Sequence, residues 1–349
     1  MTEERIRLGW KIDEREYPFL VDASALSERE MKDRLSGADV IIYGDTGVDI
    51  YGCGLKKDVL VLYYRERMFK KQSRVGILRF IKYYCRYVLR GFGRNKALLC
   101  ASAYASYDFE RIAAFGGRRF KWGYFPEIFD EDVDALLAKK REGEAMRLLW
   151  VGRIIDWKRT KDAVSLAARL RDEGLDFSLD IIGTGELEGD IAEKISEYGL
   201  AGKVNMLGSL PQAEVREYMR RASVLLVTSD HNEGWGAVVN EGMNSACAVV
   251  SSHGVGAAPF MIQSGKNGVI YECANIDSMY AAVKECILDR EYTESLGRAA
   301  YLTVKEVWNA ENAAVQLLRL VDVLRQGKGD FASEGVCSPA EVIKNDWIK

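Results

Sequence analysis

The sequence predicts an α/β protein built from two doubly wound domains. Short apolar runs alternate with helix-length amphipathic segments along most of the chain, and this alternation is typical of βα units in a parallel sheet. The length of 349 residues allows two hydrophobic cores. We therefore divide the chain into a first domain at 1–144, a second domain at 145–325 and a tail at 326–349.

The composition excludes several classes of protein. Apolar residues make up 48% of the chain, charged residues 29%, and the net charge is -3, which favours a folded globular protein and gives no argument for nucleic-acid binding. Seven cysteines without a CxxC pair favour reduced core residues. Because His231 and His253 are the only histidines, we expect no metal site. No run of 18 apolar residues and no apolar signal-peptide core is present, so we expect a cytoplasmic protein.

The first half contains one capped helix and four short strands. Ser27 and Glu30 form a capping-box pattern at the start of a helix predicted at 27–36. The predicted strands are Val40–Tyr43, Val59–Tyr63, Ala97–Ala101 and Phe120–Tyr124. A strong first strand with a glycine-rich turn is missing before them. This absence predicts either that the natural start lies upstream or that the protein has a depleted cleft and low activity.

Residues 65–96 form a strongly basic segment within an acidic protein. They include eleven Lys or Arg and one acid, Glu66. Within a predicted helix, basic residues recur three or four positions apart and apolar residues fill the remainder: Arg79, Lys82, Arg86 and Arg90 against Ile77, Phe80, Ile81, Tyr84, Val88 and Leu89. Such a helix either lies on an anionic membrane surface or packs on the core with a solvated outer face. Both interpretations stay open.

The second half alternates regularly between strands and helices. Strands are predicted at 147–151, 177–182, 204–207, 222–227, 248–251 and 269–271, and helices at 160–171, 186–198, 212–221, 277–289, 291–304 and 310–325. In doubly wound sheets, ligands bind beyond the carboxyl ends of the strands. The loops that follow these strands are therefore the candidate site.

The loop after the strand at 222–227 carries two glycines between two glutamates. Gly234 and Gly236 let the backbone approach an anion, and the helix that follows has unpaired N–H groups at its start. Glu233 and Glu241 are separated by seven residues. Because carboxylates repel phosphate, we expect them to accept hydrogen bonds from hydroxyl groups. A diphosphate between two polyhydroxylated rings satisfies both features, and such a ligand is a nucleotide sugar.

The loop after the strand at 147–151 supplies two cations. Arg153 and Lys158 can reach a diphosphate from the same side. The Arg153 guanidinium can donate two parallel hydrogen bonds, and the Lys158 ammonium acts as a point charge. Exposed loops often carry such residues, but this loop and the Glu233–Glu241 loop lie at the same edge of the predicted sheet. The Gly183–Gly185 turn lacks the full GxGxxG spacing and predicts a tight turn in the wall of the site.

Five segments together resemble the family-4 retaining glycosyltransferases of the GT-B fold. They cover most of the second half in matching order, at 148–167, 179–188, 204–210, 228–243 and 256–271. The resemblance implies two Rossmann-like domains that face each other across a cleft. It also implies sugar transfer with retention of the anomeric configuration and without a metal or other cofactor. In such a transfer the leaving diphosphate takes the proton of the acceptor.

The same resemblance implies roles for individual residues. Arg153 and Lys158 would hold the donor diphosphate, Glu233 would contact the donor sugar, and Glu241 would bind the ribose hydroxyls. We expect Glu233, Arg153 and Lys158 to be the catalytic residues. The residues expected to bind the donor are Gly152, Gly183, Leu207, Gly234, Trp235, Gly236 and Glu241.

The first half resembles the family less closely. Residues 62–84 and 101–112 are similar to acceptor domains of bacterial members that build surface polysaccharides, which implies a saccharide or lipid-linked acceptor at the inner face of the cytoplasmic membrane. Many relatives place a histidine in this domain, and here none precedes residue 231. The alternative is a catalytically weak or inactive nucleotide-sugar-binding protein or partner subunit. A nucleotide-sugar epimerase is disfavoured by the shortage of histidine.

The end of the chain has two interpretations. A GT-B protein often carries its last segment back onto the first domain, and Trp347 and Ile348 would then dock there. The alternative is a frayed terminus.

Overall fold

The structure is a computed structural model that describes residues 17, 19, 21, 26–44, 55–56, 58–70 and 76–348. Within these ranges the chain forms two parallel sheets with helices packed against them, which confirms the predicted α/β fold. The missing first strand and glycine-rich turn would fall at the start of the chain, outside the described residues.

The first sheet has four parallel strands in sequential order. They are β1 (Val40–Tyr43), β2 (Leu60–Arg65), β3 (Lys96–Cys100) and β4 (Arg119–Lys121). Helices α1 (Glu28–Ser36), α2 (Ile77–Tyr84) and α3 (Ala105–Glu110) belong to this domain. Ser27 and Glu30 form the predicted capping box at the start of α1. Both faces of β2 and β3 are buried, so each strand is a continuous apolar run.

The second sheet has six parallel strands in the order β10-β9-β8-β5-β6-β7. Their bounds are β5 (Met146–Val151), β6 (Phe177–Ile182), β7 (Val204–Gly208), β8 (Val224–Val227), β9 (Ala248–Ser252) and β10 (Val269–Tyr271). The chain starts at β5, runs outward to β7, and then crosses back to β8 on the other side of β5. The loops after β5 and β8 therefore leave the sheet at its topological switch point, where doubly wound sheets bind ligands.

The predicted helices of the second half are present within about two residues, the usual uncertainty of a helix boundary, whereas the helices at 133–141 and 258–261 were not predicted. They are α4 (Val133–Arg141), α5 (Thr160–Asp172), α6 (Glu188–Glu197), α7 (Gln212–Arg221), α8 (Val238–Asn244), α9 (Ala258–Met261), α10 (Ile276–Leu288), α11 (Arg290–Glu306) and α12 (Ala310–Gln326). Helix α4 precedes β5 and packs against α7 and α11. Helix α12 reaches the first domain and packs against β2.

The two domains are in direct contact at the carboxyl ends of their strands. Ala103 follows β3, and its backbone N–H donates to the carbonyl of Gly256 in the second domain at 2.9 Å. The C-terminal segment crosses back over the first domain, because Ala340 N donates to Arg119 O at 2.9 Å and the Trp347 indole donates to the Tyr104 hydroxyl at 3.0 Å. These contacts position the loops of both sheets against each other.

The basic segment differs from a regular helix. Helix α2 ends at Tyr84 and continues as one π-helical turn over Cys85–Leu89. A π turn changes the side-chain register, so the three-or-four spacing of the cations does not keep them on one face. Tyr87 turns into the core, whereas Ile77, Leu78 and Leu89 remain exposed. The predicted helix is present, but the π turn interrupts the single basic face that the spacing predicted, and several of its apolar side chains stay exposed.

Candidate functional site

The loops after β5 and β8 are tied together at the switch point. Trp150, near the end of β5, donates its indole N–H to the Thr228 hydroxyl at 2.8 Å, and that hydroxyl donates to the carbonyl of Lys158 at 2.6 Å. The Asp230 N–H donates to the carbonyl of Trp157 at 2.8 Å. These bonds join the loop that carries Arg153 and Lys158 to the loop that carries Glu233. The sequence prediction that the two loops share an edge is therefore confirmed.

Lys158 and Glu233 form an ion pair between these loops. Nζ of Lys158 lies 2.5 Å from Oε2 of Glu233, and the side chains are 15% and 10% exposed. The Ser229 hydroxyl donates to the same oxygen at 2.8 Å. Because both bonds use Oε2, Oε1 keeps acceptor capacity for a ligand hydroxyl. Lys158 also has donors to spare, since an ammonium group carries three.

Glu241 lies on α8 at the edge of a cavity. Burial raises the pKa of its carboxyl group above the usual range, and the nearby Lys158 ammonium opposes this rise. The cavity has a volume of about 350 Å³, within the range of small-molecule sites. Its other lining residues come from α7, from α8 and from the segment that joins the domains: Gln212, Ala213, Val215, Arg216, Met219, Asn244, Ser245, Pro126, Glu127 and Phe129.

The glycines of the β6 loop bring two site loops into close contact. Gly183 has φ +136°, and a Cβ there would overlap the carbonyl of Gly152. The Ile154 N–H donates to Thr184 O at 2.9 Å, and the Gly183 N–H donates to Gly208 O at 2.7 Å. Residues 183–185 are irregular and the turn follows at 186–187, so the tight turn predicted at the glycines themselves is not present; the glycines are required by packing between loops. Leu207 is partly buried beside it.

Residues 234–236 are buried, and the tryptophan side chain points into the core. The Trp235 ring is 1% exposed and packs with Phe260 and Trp308. Its indole N–H donates to Asn240 Oδ1 at 2.8 Å, and its carbonyl accepts from Ala257 N–H at 2.8 Å. The Trp235 side chain is therefore a core residue and not available to a ligand. Helix α8 has only seven residues, so we assign no anion site to its start.

Arg153 lies exposed at the beginning of the same loop as Lys158. It stands between Gly152, which packs against the β6 loop, and Ile154, which is buried. The backbone of this loop is held on both sides of Arg153. The structure thus fixes the backbone of Arg153 at the sheet edge and leaves its side chain exposed.

Sequence reasoning missed two residues of the first domain that reach the glycine loop. Glu66 follows β2, and its carboxylate lies against Gly234; Tyr124 follows β4 and donates its hydroxyl to Glu66 Oε1 at 2.5 Å. Glu66 is the one acid in the basic segment. A lone carboxylate at a strand end is the signal that would have identified it.

A second cluster on the same edge joins both histidines to the C-terminal segment. The His231 ring contacts the rings of Tyr104 and His253, and His253 bonds to the carbonyl of Asn345 at 2.8 Å. Burial, followed by the positive charges of His253 and Arg67, lowers the pKa of His231 from 6.5 to about 4. His231 is therefore neutral in the folded protein at neutral pH.

This shift predicts that His231 makes stability depend on pH. Between its folded pKa of about 4 and its unfolded value of 6.5, the unfolded state binds more protons, so stability is lost as the pH falls through this window. Allowing for solvent screening, we expect a loss of about 1 to 2 kcal/mol. Urea unfolding at about pH 7 and about pH 5 measures it. The loss should be smaller in His231→Asn, and an equal loss in both proteins would contradict the prediction.

Two further observations concern the described residues as a whole. Among them, no group of three or more His, Cys, Asp or Glu side chains is arranged to hold a metal ion. No helix in the same ranges combines the length and the apolar character that a membrane span requires.

Comparison with known proteins identifies the second half. The sequence profile of the family described as glycosyl transferases group 1 matches residues 133–303. The GDP-mannose-dependent alpha-(1-6)-phosphatidylinositol monomannoside mannosyltransferase of Mycobacterium tuberculosis is 25% identical over 262 residues, covering 71% of this chain and 66% of that protein. The amylovoran biosynthesis glycosyltransferase AmsK of Erwinia amylovora is 29% identical over 154 residues, covering 42% of this chain and 36% of that protein. The chain thus spans at most about two thirds of either relative.

Solved structures show the same fold. A glycosyltransferase from Rickettsia africae superposes with a TM-score of 0.63 at 14% identity, covering 88% of this chain and 85% of that one. Anabaena Alr3699/HepE, solved in complex with UDP and glucose, gives a TM-score of 0.57 at 13% identity, with coverage of 86% and 79%. The fold and the family profile agree: residues 133–303 match the group 1 glycosyl transferases, and the chain has a GT-B fold.

Proposed function

We propose that this chain is a retaining, metal-independent glycosyltransferase that moves a sugar from a nucleotide-diphosphate sugar to a saccharide or lipid-linked acceptor. One observation carries the proposal: Lys158 and Glu233 pair between two loops at the switch point of the second sheet, and Glu241 stands near Lys158 on the helix that follows the second loop. The names of the relatives support it, since they include transferases of amylovoran and colanic acid biosynthesis. Synthesis of a cell-surface polysaccharide is therefore the process we propose.

The charges of the site suit a donor with an anionic centre and neutral ends. Lys158 can bond Glu233 and a phosphate oxygen at the same time, and Arg153 on the same loop can fork to a second phosphate oxygen. Glu233 would use its remaining oxygen for a hydroxyl of the donor sugar. Glu241, at the cavity, would accept bonds from the ribose, and the base would lie toward Gly183 and Leu207.

The proposed reaction develops negative charge on the leaving diphosphate. The bond between the anomeric carbon and the diphosphate oxygen breaks with its electron pair on that oxygen, which then takes the proton of the acceptor hydroxyl. The acceptor oxygen bonds to the anomeric carbon on the face that the diphosphate leaves. Lys158 and Arg153 stabilise the charge on the leaving group, so the residues present supply the electrostatic part of catalysis.

A thermal-shift screen against UDP-, GDP-, ADP- and dTDP-sugars tests the donor site. A ligand at about 100 times its dissociation constant stabilises the folded state by about 2.7 kcal/mol. We expect one class of nucleotide sugar to raise the melting temperature, and no shift with any member would contradict the proposal. Binding without release of nucleoside diphosphate in the presence of saccharide acceptors would instead support the alternative of an inactive nucleotide-sugar-binding protein or partner subunit.

We also propose that the segment around α2 contacts an anionic membrane surface. Ile77, Leu78 and Ile81 are 70%, 81% and 49% exposed, whereas a helix that only packs on the core would bury them. Lys82 follows Ile81 directly and is also exposed. Exposed apolar side chains with neighbouring cations suit the boundary between head groups and acyl chains. The protein would then work peripherally at the inner face of the membrane, where a lipid-linked acceptor is held.

The membrane proposal predicts a specific loss of vesicle binding. We expect the triple change Ile77→Ser, Leu78→Ser and Ile81→Ser to weaken co-sedimentation with phosphatidylglycerol vesicles at least about tenfold, since each buried apolar side chain contributes on the order of 1 kcal/mol or more. Leu318→Ser is the matched control, because Leu318 is equally exposed on α12. Binding that the triple change leaves intact would contradict the proposal.

A further inference from the structure

Glu66 reaches from the first domain to the glycine loop of the second. It follows β2 directly, and its carboxylate lies against Gly234, so that a Cβ at position 234 would overlap the carboxyl group; Oε1 would be 2.6 Å from it. Gly234 follows Glu233 in the chain. The absence of a side chain at 234 thus permits close approach of a charged group from the opposite domain.

Groups of the first domain hold the Glu66 side chain in place. The Tyr124 hydroxyl donates to Oε1 at 2.5 Å, and Lys70 Nζ lies 3.4 Å from Oε2. Burial first, and then Glu66 itself, raise the pKa of Tyr124, so the phenol stays protonated and acts as the donor. Glu66 is 32% exposed, and its Oε2 has only the long contact to Lys70 among the hydrogen bonds of the described residues. The carboxylate is therefore oriented, accessible and able to accept a further bond.

Glu66 of the first domain consequently contacts the residue that follows Glu233 in the second domain. Glu233 is bonded to Lys158 and Ser229, all in the second domain, whereas Glu66 is bonded within the first. A second carboxylate at the glycine loop disfavours phosphate there, because like charges repel. Ionised carboxylates accept hydrogen bonds and donate none, so hydroxyl groups are the natural ligands of Glu66.

We propose that Glu66 binds a hydroxyl group of the donor sugar and thereby makes sugar recognition depend on both domains. The inference rests on the proposed function, because it assumes that a nucleotide sugar occupies the cleft. It adds a residue of the first domain to the sugar-binding group and assigns that residue to the sugar end of the donor. The nucleotide end remains with the second domain.

Calorimetric titrations with paired ligands test this assignment. UDP and UDP-glucose, and GDP and GDP-mannose, are titrated into the full chain and into Glu66→Gln, with Glu110→Gln as a matched control because Glu110 is an exposed carboxylate of the same domain. A hydrogen bond to a charged group contributes about 1.5 to 3 kcal/mol, so Glu66→Gln should bind the nucleotide sugar roughly 10- to 100-fold more weakly. Its affinity for the free nucleotide should stay within about twofold.

Each outcome of these titrations has a distinct meaning. Equal weakening of nucleotide and nucleotide sugar in Glu66→Gln would show a role in domain packing and overturn the inference, and so would unchanged binding of both. A parent protein that binds neither ligand pair nor any other nucleotide sugar would overturn the proposed function itself, and the inference with it. Tyr124→Phe, which removes the donor that orients Glu66, should lower sugar-dependent affinity in the same direction by a smaller factor.

Discussion

Replacing Lys158 by alanine is expected to reduce sugar transfer by a factor of about 100 to 1,000, the effect of removing one group that stabilises transition-state charge. The change removes the ammonium that would meet the leaving diphosphate. It also leaves Glu233, 10% exposed, without its cation, so the remaining carboxylate would repel the donor. Initial rates of nucleoside diphosphate release, measured with the nucleotide sugar found in the screen, give the effect.

The control for this change is Lys161→Ala. Lys161 pairs with Asp190 at 3.0 Å on the surface, where ion pairs contribute little. Lys161→Ala should therefore leave both the rate of sugar transfer and the stability of the protein nearly unchanged. Glu233→Ala should lose activity as Lys158→Ala does, because it removes the sugar ligand and the partner that orients the ammonium. Near-normal transfer by both site variants would show that the site is assigned wrongly.

Replacing Gly256 by alanine is expected to destabilise the protein by about 3 kcal/mol or more, the upper range for overpacking a closed contact. A Cβ there would overlap the carbonyl of Gly234 and the hydroxyl of Ser102, and the Ala103 bond to Gly256 O fixes this contact. Because the Gly234 carbonyl is backbone of the same domain and cannot rotate away as a side chain can, the glycine loop at 234–236 would have to shift. The midpoint of urea unfolding measures the loss.

Gly189→Ala is the matched control for Gly256→Ala. Gly189 lies in α6 with nothing within 4 Å of an added Cβ, so alanine should be neutral or stabilising by up to about 1 kcal/mol. An unfolding midpoint for Gly256→Ala equal to that of the parent protein would mean that Gly256 does not pack against the glycine loop as described.

The second domain was predictable because its strands and helices can be recognised from residues that are neighbours in the sequence. Parallel strands buried on both faces, such as β8, appear as uninterrupted apolar runs. The predicted segment at 177–182 likewise coincides with β6. The rule that ligands bind at strand ends then selects loops without knowledge of side-chain positions. Lys158 and Glu233 were placed at one edge by this rule, and the structure brings them to 2.5 Å.

The contacts between domains were not predictable because they join residues far apart in the chain. Nothing local to Trp235 shows that its ring packs into the core, and nothing local to Glu66 shows that it meets Gly234. Periodicity likewise shows that α2 has apolar positions, but it does not show which of them are covered. The π turn at Cys85–Leu89 has no spacing signal because it breaks the helical period.

The central claim is that the loops after β5, β6 and β8 form a nucleotide-sugar site, and hydrogen exchange with and without the ligand tests it most directly. The ligand should slow hydrogen exchange in peptides that cover 152–158, 183–185 and 233–241. The peptide that contains Glu66 should also exchange more slowly when the nucleotide carries its sugar. The remainder of the second sheet should exchange unchanged. Protection confined to other surfaces, with these loops exchanging as in the free protein, would contradict the claim.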